Sequence, residues 1–251
     1  MNNRWKEGAC CLMALLAFLL PPTAAAQGKA GLPASERHGV VVAHTGYTVD
    51  YNVQTKNPNW VAWELTARRS KGEARRSSSF KPDPAVGARC GRTGDYTRSG
   101  YDRGHLCPAA DNKWDARAMK ESFYMSNISP QLPGLNRGSW KKLEDRCRRW
   151  AAAGGTYYIV AGPVFSDAPA KHIGTGRVAV PGGFFKVIYT DVGGKPRAAG
   201  FLFDNVEGKT AGERIVTVDA VERLTRYDFF PDLPDATEKK VEATVNAALW
   251  R

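Results

Sequence analysis

Apolar positions along this chain recur with two periods, and the change from one to the other divides it. Short β-branched and aromatic runs, Val40–Ala43, Tyr47–Val53 and Trp60–Thr66, are punctuated by Gly46 and Asn57-Pro58-Asn59, which predicts a meander of antiparallel strands. Thr156–Ala161, Phe184–Thr190 and Ala198–Phe203 predict further strands, the last two joined through the turn Val192-Gly-Gly194. Between these groups the period lengthens. From Asn136 to Trp150 there is no proline, and Trp140, Leu143, Cys147 and Trp150 recur at spacings of three and four. That pattern predicts an amphipathic helix with Arg146, Arg148 and Arg149 turned mostly outward. Shorter helices are expected after Asp115, over Asp219–Thr225 and over Thr237–Leu249, the last capped by Asp235 or Thr237. Strands and helices in this order make an α+β chain, with a central antiparallel sheet flanked by helices.

The remaining stretches set boundaries. Met1–Ala26 has a short charged start, an apolar run from Ala9 to Leu20, and Pro21-Pro-Thr-Ala-Ala-Ala26, the layout of a signal peptide. An apolar run of that length is too short to cross a bilayer, which needs about 20 residues. The reading is therefore cleavage after Ala26, export to the periplasm or beyond, and no membrane contact afterwards. A flexible arm over 27–37 and one domain over 38–251 follow. The full chain carries a net charge of +11; its leader holds two basic residues and one acidic, so +10 would remain. That excess points to a polyanionic partner, although charge alone fits a plain basic surface equally well. Cys90, Cys107 and Cys147 would remain after cleavage, which permits one disulfide and one free thiol without fixing the pair. Arg68–Ser79 is basic and without apolar periodicity, as expected of a surface loop.

Candidate chemistry is concentrated in Ser99-Gly-Tyr-Asp-Arg-Gly-His-Leu106. His105 is the one side-chain type whose ordinary pKa lets it act as a base near neutrality, and Arg103 is a permanent cation suited to phosphate. Read as a strand over Tyr101–Leu106, the segment turns Arg103 and His105 to one side and Asp102 to the other, where a structural ion pair is expected. Asn136 lies 31 residues after His105 and Glu144 eight after Asn136, nearly on one face of a regular helix. A strand Phe123–Ser126 ending in Asn127 lies between them.

S-G-Y-D-R-G-H-L, the run F-Y-M-S-N-I-S-P-Q from Phe123 and the series L-N-x-x-x-W-x-x-L-E from Leu135, in this order, resemble the DNA/RNA non-specific endonuclease family. The resemblance covers roughly Asn59 to Phe230. It implies a ββα-metal (His-metal finger) nuclease fold, an exported Mg²⁺-dependent enzyme with Mn²⁺ as a substitute, DNA and RNA as substrates, and 5′-phosphate products. It implies His105 as general base, Asn136 as the protein ligand of the metal and Glu144 as holder of the metal's waters. Arg103 and Arg76 would brace the phosphate, with Arg75 as the alternative to Arg76, and Asn127 would support from beside the scissile phosphate. A homodimer and an inhibitor protein stay open. Two rivals stand beside this reading, a phosphodiesterase for small nucleotides and a non-catalytic basic protein that binds nucleic acid.

Overall fold

In the computed structural model, residues 30–36, 39–165, 171–207 and 212–251 are described. The expected leader, residues 27–29 and 37 of the arm, and His38 lie outside them. Three strands open the fold, β1 (Val40–Ala43), β2 (Thr48–Asn52) and β3 (Asn57–Leu65). β3 starts earlier than the punctuation suggested, with Pro58 inside it. Proline has no N–H to give the ladder, and the register between β2 and β3 slips at Asp50/Tyr51, beside the Pro58 pairing. A helical turn α1 (Ala67–Ser70), capped by the Thr66 side chain, interrupts the basic loop. Next come β4 (Asp102–His105), α2 (Ala116–Glu121) and β5 (Ile128–Gln131). Asp115 caps α2 by accepting the Ala118 N–H at 2.8 Å.

The long helix is α3 (Lys141–Ala153). After it run β6 (Tyr157–Val164), the short pair β7 (His172–Ile173) and β8 (Val178–Ala179), β9 (Gly183–Asp191), β10 (Pro196–Asp204) and β11 (Glu213–Val216). Gly193 and Gly194 both have positive φ in the β9–β10 turn, which explains the glycine pair there. The chain ends with α4 (Val218–Thr225) and α5 (Asp235–Ala243). α5 begins earlier and ends sooner than predicted and has no side-chain cap; a separate turn, Ala247–Trp250, carries Trp250 into the core.

Seven strands form one antiparallel sheet in the order β1-β2-β3-β6-β9-β10-β11, and β4 and β5 form a separate antiparallel ribbon. Alternate residues of the central strands feed two cores. Val61, Trp63, Phe184, Ile188, Phe201 and Phe203 face one, with the ribbon's Leu106 and Ile128 and with Trp140, Leu143 and Cys147. Trp60, Ala62, Phe185, Val187 and Ala198 face the other, with Val218, Val221, Phe229, Phe230 and Val241. Covered on both faces, these strands read as near-continuous apolar runs. The ribbon and α3 lie on one side of the sheet, α4 and α5 on the opposite side. No helix among the described residues is long and apolar enough to cross a membrane. All three described cysteines are buried free thiols, so the permitted disulfide is absent.

Candidate active site

The ribbon places the basic groups. In β4, Arg103 pairs with Pro130 and His105 with Ile128. Their side chains emerge on one side, as the two-residue period requires. The Arg103 guanidinium lies 5.6 Å from the centre of the Phe80 ring and the His105 ring 5.3 Å from it, so the two share one aromatic neighbour. Gly104 between them is needed for close approach: a Cβ there would collide with the carboxamide of Gln131.

His105 is wedged between Phe80 and Phe123, the latter edge-on at 4.8 Å. Its Nε2 is sealed from solvent and has no hydrogen-bond partner. Burial, reinforced by the Arg76 cation, pushes its pKa down to about 3. The imidazole is therefore neutral at physiological pH, the state a base must start from. The Arg76 guanidinium stands 5.2 Å over the Phe123 ring. That contact and its field on His105 distinguish it from Arg75, which has neither. Arg103 donates from Nη2 to the Thr93 carbonyl at 2.9 Å, while its Nε is buried and unpartnered.

The ribbon is pinned to the entry of the long helix at both ends of β4. Asp102 accepts Nδ2–H of Asn136 at 2.9 Å and both Nε and Nη2 of Arg137, at 2.8 and 2.6 Å. Burial pushes the Asp102 carboxyl up, but the hydrogen bonds from Arg137 and Asn136 outweigh it and hold the pKa below the usual value. At the other end Trp140 donates Nε1–H to the His105 carbonyl at 3.1 Å. The helix does not start regularly at Asn136. Residues Leu135–Trp140 form a π-type turn in which Gly138 leaves helical space (φ −101°, ψ −113°), and α3 proper begins at Lys141. The expected single helical face from Asn136 to Glu144 is therefore broken by a kink.

Glu144 is half-buried in the first turn of α3, beside a buried charge network that the sequence reading missed. Burial is the largest influence on it and lifts its carboxyl to about 7, against the pull of Lys186. Lys186 is buried on β9, its ammonium 4.3 Å over the Trp140 ring and 5.2 Å over Trp63. Asp111 accepts from Arg148 at 2.8 Å and from the Trp63 indole at 3.1 Å. Lys186 sits in an otherwise apolar strand, so only its tertiary neighbours identify it. His44, given no role from the sequence, bonds through Nε2 to buried Asp83 at 2.8 Å, and Asp83 also accepts from Ser126 and Ala85.

Asn127, expected in a supporting role beside the scissile phosphate, is engaged by backbone. It is fully buried, accepts the Cys107 N–H at 2.9 Å, and donates to the carbonyls of Cys107 and Ser122 at 2.9 and 2.8 Å. With its amide spent on backbone, it staples the turn after His105 and has no group left for a phosphate. Phe123–Ser126 is likewise no strand; Met125–Asn127 is a 3₁₀ turn, and β5 starts one residue later.

The donor set fits a hard, hydrated cation. Asn136 offers a neutral carboxamide oxygen, and because its Nδ2 is committed to Asp102, no donor among the described residues competes for Oδ1. One neutral oxygen ligand suits an ion that keeps most of its waters. A cleft of about 920 Å³ opens elsewhere, at the end of the sheet among Val164, Phe184, Asp204 and Arg226, away from His105.

A family model described as DNA/RNA non-specific endonuclease matches residues 27–236. Human mitochondrial endonuclease G is 33% identical over 220 residues, 82% of this chain and 73% of that protein. A nuclease of Nostoc sp. is 34% identical over 223 residues, 80% and 76% of the two chains. Among solved structures, a crystal structure of the EndoG/EndoGI complex matches with a TM-score of 0.75 and 30% identity, over 82% of this chain and 90% of that one. A ββα-metal fold is thereby shown. Relatives from Homo sapiens, Bos taurus, Schizosaccharomyces pombe and Saccharomyces cerevisiae are named as mitochondrial nucleases, which overturns the expectation of an exported protein, periplasmic or secreted.

Proposed function

The chain belongs to the DNA/RNA non-specific endonuclease family, and from that premise we propose that it is a Mg²⁺-dependent hydrolase of DNA and RNA phosphodiesters whose general base is His105. The observation that carries the reading is the neutral imidazole of His105, on the same side of β4 as Arg103, in a strand whose other end orients the Asn136 amide. Residues 38–251 act as one nuclease domain.

Hydrolysis needs a base for water, cations for the charge developing on phosphate, and a route for the departing oxygen. Nε2 of His105 is closed off, so Nδ1 is the nitrogen that meets water and takes its proton. The water oxygen bonds to phosphorus as the bond to the 3′-oxygen breaks; that oxygen takes a proton from solvent, and the phosphate stays on the 5′ side. Asn136 Oδ1 would hold Mg²⁺, which when bound would supply positive charge against that developing in the reaction. Glu144 accepts hydrogen bonds from water in the site. Arg103 and Arg76 face the phosphate oxygens with planar donors that match them. By likeness to the EndoG/EndoGI complex, a protein inhibitor is a partner class for this chain.

Incubating the purified chain with plasmid and with structured RNA, with Mg²⁺ and with EDTA, tests this. Cleavage of both in Mg²⁺, loss in EDTA and loss in His105→Ala with retained duplex binding are expected. Wild-type cleavage by His105→Ala removes the base assignment.

A further inference from the structure

On the face of the sheet opposite His105, α4 and α5 bring acids together. Asp219 and Glu222 on α4 and Glu242 on α5 each place a carboxylate oxygen so that all three lie within 4.8 Å of one another. Among the described residues, no lysine or arginine forms an ion pair with any of them. Glu222 accepts one backbone N–H, from Phe229 at 2.9 Å. Glu242 is only 6% exposed, and its Oε1 is buried with no hydrogen-bond partner. A carboxylate aimed unpartnered into two others, in a protein with an excess of cations to place there, is costly unless something positive sits among them.

We infer that Asp219, Glu222 and Glu242 form a second cation site, for a hard divalent ion of the Ca²⁺ or Mn²⁺ kind, that clamps α5 to α4 and takes no part in phosphodiester cleavage. The donors are all carboxylate oxygens, the chemistry that selects hard cations over the softer metals that seek sulfur or imidazole. Their separations of at most 4.8 Å are no more than about twice a Ca²⁺–oxygen distance of roughly 2.4 Å, so a small inward adjustment of the side chains lets one ion touch all three. Without the ion, burial and then the field of Glu222, Glu238, Asp228 and Asp219 push Glu242 up to about 9, and a proton takes the cation's place. The clamp matters because α5 has no side-chain cap, and the chain beyond it carries Trp250 into the first core, edge-on to Trp150 at 5.3 Å. The ion therefore holds the carboxyl-terminal segment across both cores.

The inference is independent of the assignment of Asn136, and one experiment separates the two. Chelator-stripped full-length protein is titrated with Mn²⁺, and the free ion is read from its electron paramagnetic resonance signal. Two equivalents are expected on the wild type, one on Glu242→Gln and one on Asn136→Ala. Equal binding by wild type and Glu242→Gln, or none by Asn136→Ala, overturns the second site. One equivalent on both wild type and Asn136→Ala with none on Glu242→Gln supports the second site and removes Asn136 as a ligand. Glu242→Gln preserves size and relieves repulsion, so without metal its melting temperature should equal or exceed the wild type's. Added Ca²⁺ should raise the wild-type melting temperature and leave that of Glu242→Gln in place; a shift of the same size in both overturns the clamp.

Discussion

Asn136 donates its Nδ2–H to Asp102 Oδ2 at 2.9 Å, and this one bond decides which end of the Asn136 amide is available. Asp102 is three residues before the base on the same strand, so the ribbon that carries His105 also aims the oxygen proposed to hold the metal. Asp102→Ala should raise the Mg²⁺ needed for half-maximal cleavage by about 10–100-fold, the usual cost of losing a group that orients a metal ligand. Asp102→Asn retains an acceptor for Nδ2–H and should lose less. An unchanged Mg²⁺ requirement in Asp102→Ala would separate the ribbon from the metal.

The pH dependence should belong to Glu144. With His105 depressed to about 3, its base form is present across the working range, whereas Glu144 near 7 is only partly ionised there. The acid limb of kcat/KM should lie close to 7 and should flatten in Glu144→Gln, whose residual rate is read from pH 5.5 to 8. A limb that survives in Glu144→Gln would return the titration to another group.

Stability should move with the opposite signs of these two shifts. Unfolded imidazole titrates near 6.5, so below that value the unfolded chain takes the proton first and His105 costs stability. Glu144 binds its proton more tightly in the folded state, so it costs stability as pH rises from its ordinary 4.5 through about 7. Denaturant midpoints across this range should show the acid-side loss diminished in His105→Gln and the loss toward neutrality diminished in Glu144→Gln.

Asn127→Ala tests a structural role against a catalytic one. It strands the Cys107 N–H and two buried carbonyls and should lower stability by about 2–4 kcal/mol in urea unfolding. Cleavage per folded molecule at low temperature should stay within a few-fold of wild type. A large fall in kcat with stability unchanged would put Asn127 back beside the phosphate.

Raising NaCl several-fold should slow DNA cleavage steeply, because Arg76 and Arg103 are proposed to contact phosphate and not base edges. Cleavage rates indifferent to salt would count against backbone contact as the main source of affinity.

Much of this was legible along the chain because it depends on local period. Alternation put Arg103 and His105 on one side of a strand, and Asp102 on the other, where it met Arg137. The strands of the meander and the Asp115 cap follow from β-branching and side-chain hydrogen bonding within a few residues. The backbone bonds of Asn127 are not legible in the sequence, because a motif names an amide without saying which backbone groups occupy it. The helix entry was drawn too regular because a glycine excursion such as Gly138 leaves the apolar spacing intact. Lys186 went unnoticed because a lysine in a strand is ordinarily solvated, and only two tryptophans from distant segments make this one buried.

By itself, then, the sequence determined the alternation of strands and helices, the basic and imidazole groups of β4, and the motifs that mark the nuclease family. Those features are set by neighbours within about one or two turns of chain. Tertiary structure alone decided that Nε2 of His105 is sealed and the imidazole held neutral, that Asp102 orients Asn136, that Glu144 rests beside a buried lysine, and that three acids of α4 and α5 converge. Each of these rests on desolvation or on a contact between segments far apart in the chain, and neither is written in local order.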